Sequence, residues 1–270
     1  MPQETKIIIR YTGGSADDSR LDLYDAATSM QGLAKALSIT SHAFLNKGQV
    51  KRKGDSTRGV DFLLHPSRKG SFIEMVTVVF DDAAIKSIGA SVLTVGFWDF
   101  VKYTWREATG RQGKLTEPSS SKIAGYNSTY EEEITRSLEI PLQQLHRPIA
   151  SDDNIIIEIS RPRTGLVVRF NSSTLDYVMS EDDPIVKEDV KGNVTKYNNL
   201  SGIGRFYDDK LGRTVSFHAD QLDDAEKRIL TWSLHNSNGS NTEGKIKIDI
   251  EIIKSNSGHI KRYIITDAER

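Results

Sequence analysis

The sequence predicts an α+β protein: a mixed sheet with two long helices, followed by a small C-terminal β-barrel-like domain of the OB or SH3 kind. Three observations predict it. Apolar runs with strand character, "KIIIRY" and "VDFLLHPSRKGSFIEMVTVVF", stand in the first half. Two stretches there, about Asp22–Asn46 and Asp81–Gly110, carry helical apolar spacing. After "MSEDDPIVKED" the pattern changes to short strands at even spacing, with a single helix among them. A length of 270 residues suits one large domain or two smaller ones. The expected division is an α+β domain over 1–185 and a barrel domain over 190–270.

Lys6–Tyr11 opens the chain as a strand and Gly13-Gly14 stops it. The first helix follows, with a seam of Leu23, Ala26, Met30, Leu33, Leu37, Thr40 and Phe44. The polar connector "KGQVKRKGDSTRG" leads into a hairpin. In its second strand Glu74 shares a face with Phe72, Val76, Val78 and Phe80. Apolar residues on both faces predict a strand in the middle of a sheet, covered on two sides. Asp81–Gly110 is expected as one helix, uncharged between Ser87 and Trp98. Its Asp99, Lys102 and Arg106 form a polar stripe that argues against a membrane span. "RQGKLTEPSSSKIAGYNS" is the expected linker. A helix capped by Thr129 and Glu132 comes next, kinked or divided by Pro141, and then a hairpin with "RPRTG" at its turn. In the second half, "GNVTKYN", "GIGRFYDD", "RTVSFHA", "KIKIDIEII" and "IKRYIITD" are the strands and "DQLDDAEKRILTWSL" the helix.

Composition excludes several chemistries. With no cysteine there are no disulfides, no thiolate catalysis and no Cys-ligated metal. A net charge of −1 means that any affinity for a polyanion must be local. The N-terminus lacks the apolar run of a secretory signal, so the expected location is cytoplasmic. The six histidines, His42, His65, His146, His218, His235 and His259, form no HxH, HxxxH or HExxH pattern, so no metal or other cofactor is implied. "SRKGS" lacks P-loop spacing and there is no G-x-S-x-G elbow. The Asp pairs fall at turns and helix starts, where Asp caps backbone N–H groups.

The candidate ligand site is a basic rim. Lys51, Arg52, Lys53, Arg68 and Lys69 lie close in sequence, and Arg161 and Arg163 form a second basic turn. The alternative is a solvated hairpin tip. Phe97, Trp98, Phe100, Tyr103 and Trp105 go nearly round their helix and must be covered, either by the rest of the chain or by a second copy at an interface. Tyr197, Arg205, Phe206, Tyr207 and Phe217 are residue types that stack on bases or meet phosphates on a barrel face. Glu74, set among apolar residues, needs a partner or serves as a catalytic acid.

The order "IRYTGG…RLDLYDAATSMQGLAKAL…HPSRKGSFIEMVTVVF…FWDFVKYTW", continued by "PLQQLHRPI", resembles an uncharacterised family of bacterial proteins of accessory and phage-defence gene regions. The resemblance spans about Ile7–Ile149. It implies a bacterial cytoplasmic protein and a defence-linked role, and brings no catalytic residues. The leading expectation is a non-enzymatic binding, sensor or scaffold protein. It would self-associate, take a nucleic acid or another anionic ligand, and possess no stable membrane span; a protein partner is compatible with it. The alternatives are an enzyme with a site between the two domains using Glu74 or a histidine, and a membrane-active effector acting through residues 81–105.

Overall fold

In a computed structural model the chain divides into two units, Met1–Val178 and Met179–Arg270. The structure describes residues 3–50, 57–65, 73–124, 129–179, 183–239, 243–256 and 258–270.

The first unit is built on a five-stranded antiparallel sheet of order β2-β3-β1-β4-β5. The strands are β1 (Gln3–Thr12), β2 (Val60–Leu64), β3 (Ile73–Phe80), β4 (Ile156–Arg161) and β5 (Gly165–Phe170). Central β1 alternates, with Thr5, Ile7, Ile9 and Tyr11 buried and Glu4, Lys6 and Arg10 exposed. In β3, Glu74, Val76, Val78 and Phe80 are buried, whereas Ile73, Met75 and Val79 are only half-buried. Thr77, on that second face, is buried too, so among the described residues one face of β3 is fully covered and the other partly.

Helix α1 (Leu23–Leu45) lies at the centre of that covering layer. Asp22 caps it, accepting from the N–H groups of Tyr24 and Asp25 at 2.9 and 3.1 Å. The expected seam holds at Leu33, Leu37, Thr40 and Phe44, but Leu23, the first helical residue, is 84% exposed. A second buried stripe of small residues, Ser29, Gly32, Ala36 and Ala43, widens the face. It receives α5 (Tyr130–Leu145), whose backbone comes so close that a Cβ on Gly32 would lie 2.4 Å from Leu145 N and 2.5 Å from Pro141 O. The Ser29 hydroxyl donates to Leu145 O at 2.8 Å and meets the Tyr11 hydroxyl at 3.0 Å. That links sheet, α1 and α5. Pro141 is inside a continuous α5 and does not divide it. Thr129 does not form the expected capping box. Its hydroxyl donates to Glu133 Oε1 at 2.8 Å.

The second long helix is two. α2 (Asp82–Ile88) ends before Gly89, whose φ of 97° breaks the helical path, and α3 (Ala90–Ala108) starts after it. The α3 aromatics are interior, and this unit's own elements cover them. Phe97 packs edge-on to Phe44 and Phe80 at 5.6 and 5.2 Å. Phe100 meets Phe44 and Tyr130. Trp98 Nε1 donates to Thr5 Oγ1 and Trp105 Nε1 to Thr40 Oγ1, at 3.1 and 2.9 Å. The expected linker contains α4 (Pro118–Ala124). Asp99 ties down its approach, accepting from the Thr116 N–H and hydroxyl and the Glu117 N–H. After α5 come α6 (Arg147–Ser151) and, beyond β5, α7 (Ser172–Val178).

The second unit is a closed barrel of order β10-β8-β7-β6-β9. Its strands are β6 (Ile185–Asn198), β7 (Ile203–Asp208), β8 (Arg213–His218), β9 (Ile246–Lys254) and β10 (Ile260–Glu269). β6 begins ahead of the expected "GNVTKYN". Neighbours are antiparallel except β8 and β10, which close the barrel in parallel. Helix α8 (Asp224–Asn236) follows the third strand. This connectivity is that of an OB barrel. Asp223 and Glu226 form a complete capping box on α8. The Ser233 hydroxyl accepts from Val194 N–H and donates to Gly244 O, pinning the helix to β6. Inside the barrel, Tyr263 donates to Asp208 Oδ2 at 2.8 Å, and burial together with that carboxylate pushes the phenol well above its ordinary pKa.

Gly32→Ala is expected to destabilise the first unit by about 2–3 kcal/mol, because backbone, not a flexible side chain, occupies the space of the new methyl. Gly239→Ala, which meets nothing within 4 Å, should stay within about 0.5 kcal/mol in the same chemical denaturation series. His146 generates a pH dependence. Its buried ring donates from Nδ1 to Leu142 O at 2.6 Å, and Nε2 lies 2.8 Å from Thr174 Oγ1. Burial, reinforced by Arg111, pushes its pKa down to about 4. An unfolded histidine takes its proton near pH 6.5, so the unfolded state binds more protons between about pH 6.5 and 4. The stability present above pH 6.5 is lost as pH falls through that window, by roughly 3 kcal/mol. Denaturation at stepped pH should show the loss, with the His146 ring resonances unshifted above about pH 5.

Candidate nucleic-acid interface

The barrel's β-alternation sorts its polar residues. On β7, Gly204, Phe206 and Asp208 are buried, while Arg205 and Tyr207 are half-exposed on the outer face. On β8, Val215 and Phe217 are buried and Thr214 and Ser216 point outward. Register then aligns cations across strands. Lys196 pairs with Arg205, and Arg205 with Ser216. Arg262 directly precedes Tyr263, whose β8 partner is Phe217, so Arg262 stands level with Ser216. Lys196, Arg205, Ser216 and Arg262 form one row across four strands. At about 4.8 Å per strand the row spans roughly 14 Å.

Two turns bound this face. The β6–β7 turn lies level with His218, the partner of Ile203, and carries Leu200, which is 99% exposed. The β9–β10 turn opens at the other end, where Ile260 pairs with Lys254 three residues before Tyr263. Tyr197 leans on Phe217 with ring centroids 5.8 Å apart, and burial, with Asp220 beside it, raises its phenol pKa. Tyr207 has Lys245 Nζ 5.4 Å from its ring centroid. That lysine is held by Asp209 at 2.6 Å and Asn193 at 2.9 Å. The outer face thus offers cations, hydroxyls and one partly exposed aromatic ring, Tyr207, whereas Tyr197 pairs with Gly204 on the inner side and packs against the barrel core.

Of the five barrel residues expected from sequence, Arg205, Tyr197 and Tyr207 reach the surface. Phe206 and Phe217 are 0% exposed and fill the barrel, so they cannot stack on a base. Lys196 and Arg262 were missed. The "GRFYD" alternation gives β7 its inside and outside, but the register shift between Val194 and Lys196 that sets Lys196 beside Arg205 has no sequence signal.

The basic-rim residues Lys51, Arg52, Lys53, Arg68 and Lys69 lie outside the described residues. Arg161 and Arg163 occupy the β4–β5 turn, Arg163 with a φ of 64°. Arg161 is half-buried, its guanidinium 6.0 Å from the Trp98 ring centroid, and burial lowers its pKa. β4 runs toward the N-terminal end of β1, with Ser160 opposite Ile8, whereas β3 begins at Ile73, opposite Arg10 in the C-terminal half of β1. The β4–β5 turn and the start of β3 therefore face opposite ends of the sheet.

Phe97, Trp98, Phe100, Tyr103 and Trp105, considered for an interface, are each at most 8% exposed and belong to the first unit's core. Glu74 is buried on the inner sheet face and helps to raise the Tyr11 phenol to about 12, an effect dominated by burial. His65 Nε2 meets Thr77 Oγ1 at 2.6 Å and His42 Nδ1 meets Asn46 Nδ2 at 3.3 Å, both local contacts. Among the described residues no group of three His, Asp or Glu could hold a metal ion, and no helix is long and apolar enough to cross a membrane.

Neither a curated protein nor a solved structure matches the chain. A family model does, over residues 7–179, a span that ends beside the boundary between the two units. Through its first unit, the sheet covered by α1, α3 and α5, the chain belongs to the family described as Domain of unknown function (DUF7946).

Proposed function

We propose that the protein is a non-enzymatic binding protein whose barrel takes single-stranded nucleic acid on the outer face of β6, β7, β8 and β10. The observation that carries this reading is the level row Lys196, Arg205 and Arg262, on a barrel of OB connectivity and between its β6–β7 and β9–β10 turns. OB barrels use this face and these two loops for oligonucleotides. A single strand presents phosphates that such a row meets, and bases that stack on tyrosine. The net charge of −1 supplies no general attraction, so the affinity comes from the row itself. The resemblance to bacterial proteins of phage-defence regions fits a cytoplasmic sensor of foreign nucleic acid. Self-association would have to use a surface other than the α3 aromatics, which are enclosed.

Fluorescence anisotropy with a labelled oligothymidylate of about 20 nucleotides tests the reading. Three phosphate contacts predict a single-strand salt slope near −2, about a 20-fold loss of affinity between 50 and 200 mM salt. Lys196→Glu with Arg205→Glu should weaken binding at least tenfold at low salt and leave the melting curve of the barrel in place. Unchanged affinity in that double variant would remove the face from the account.

A further inference from the structure

The first unit holds a groove unrelated to the barrel. The C-terminal half of α3 and the segment after it form an open groove of about 550 Å³, lined by Lys102, Tyr103, Arg106, Gln112, Gly113 and Lys114. The volume falls in the range of small-molecule sites.

Its wall is fixed by hydrogen bonds. Arg106 Nε and Nη2 both donate to Gln112 O, at 3.1 and 2.9 Å. The Gly113 N–H donates to Glu107 Oε1 at 2.5 Å. Further along, Asp99 Oδ2 accepts from the Thr116 and Glu117 N–H groups, each at 3.0 Å. Glu131 likewise accepts from the Tyr103 hydroxyl. The six lining residues themselves include three cations and no carboxylate.

Among the described residues neither Lys102 nor Lys114 makes an ion pair, and both are exposed at the rim. Arg111, at the neighbouring turn, donates to Arg169 O and Asn171 Oδ1. Burial lowers its pKa, and so do the like charges of Arg106 and Arg169. Behind Tyr103, the buried Tyr130 hydroxyl has no hydrogen-bond partner among the described residues.

We infer that this groove binds a small multivalent phosphate of nucleotide size, gripped by Lys102, Arg106 and Lys114. Arg106, pinned through one edge of its guanidinium, is preorganised, and the two lysines close on the ligand as point charges. The inference stands apart from the barrel reading, because it rests on different residues in a different unit.

Isothermal titration calorimetry of the full chain with inorganic pyrophosphate and with ATP tests it, each at 50 and 300 mM salt. The wild type should bind at least one probe with a micromolar dissociation constant that weakens with salt. Lys102→Glu with Lys114→Glu should weaken binding at least tenfold with the melting curve unchanged, since both side chains are exposed. Lys196→Glu with Arg205→Glu should leave it intact. No binding of either probe, binding that survives the Lys102 and Lys114 reversals, or equal loss in both double variants would overturn the inference. The last result would mean that bulk charge, not this groove, attracts the probes. Loss of oligothymidylate binding alone would leave the groove standing.

Discussion

The first unit depends on how close α1 and α5 come at Gly32. With no Cβ between them, the backbone of α5 around Pro141 and Leu145 lies against α1. That proximity lets Ser29 reach Leu145 O on one side and the Tyr11 hydroxyl of the central strand on the other. One short polar chain thus fixes the distance from sheet to first helix layer and from that layer to the next. Interiors packed to crystal-like density transmit such a constraint. Phe44, Thr40 and Ala36 lie further along α1, and their positions place the rings of α3. Trp105 donates to Thr40, whose hydroxyl in turn donates to Ala36 O, so the indole is held by the same helix that Gly32 sets.

The consequence for function is that α3 is anchored on its aromatic side and holds the following segment on its polar side. Phe97, Phe100 and Trp105 give it an enclosed face, and Lys102 and Arg106 come out on the other. Five large aromatic residues in one helix required a cover, from the rest of the chain or from a second copy. They are covered by α1, α5 and the sheet, through Phe44, Thr40, Tyr130, Phe80 and Thr5. The groove beside α3 is then a consequence of the fold-back at residues 111–117, held by Arg106, Glu107 and Asp99. A rigid helix and a tied segment make a better scaffold for charge than a mobile loop does. In the barrel the same division holds. Phe206, Phe217 and the isoleucines of β9 fill the inside, and the alternate positions carry the cations outward.

Much of this was legible in the residues. Period-two and period-3.6 patterns located β1, α1, β3 and α5 and the run of barrel strands, and Asp22 and Asp223 marked helix starts by capping chemistry. Gly89 was a break within an apolar run and was passed over, because the periodicity continues across it while its positive φ does not. Leu23 was assigned to the buried seam because periodicity says nothing about where a neighbouring element stops. Of the candidate site, the residue types on β7 were visible. The alignment of Lys196 and Arg262 with Arg205 was not, since a pairing register between strands far apart in sequence leaves no local trace.

The sequence by itself determined the fold class, a helix-covered sheet followed by a barrel, and the absence of thiol chemistry. Each of these follows from local periodicity or from composition, which short-range sterics and burial read directly. Tertiary structure alone decided which aromatics are core, which cations share a face and which glycine admits a helix. Those are relations between residues such as Gly32 and Leu145, or Lys196 and Arg262, that meet only when distant segments pack. Packing has no period along the chain, and so its results could be found only in three dimensions.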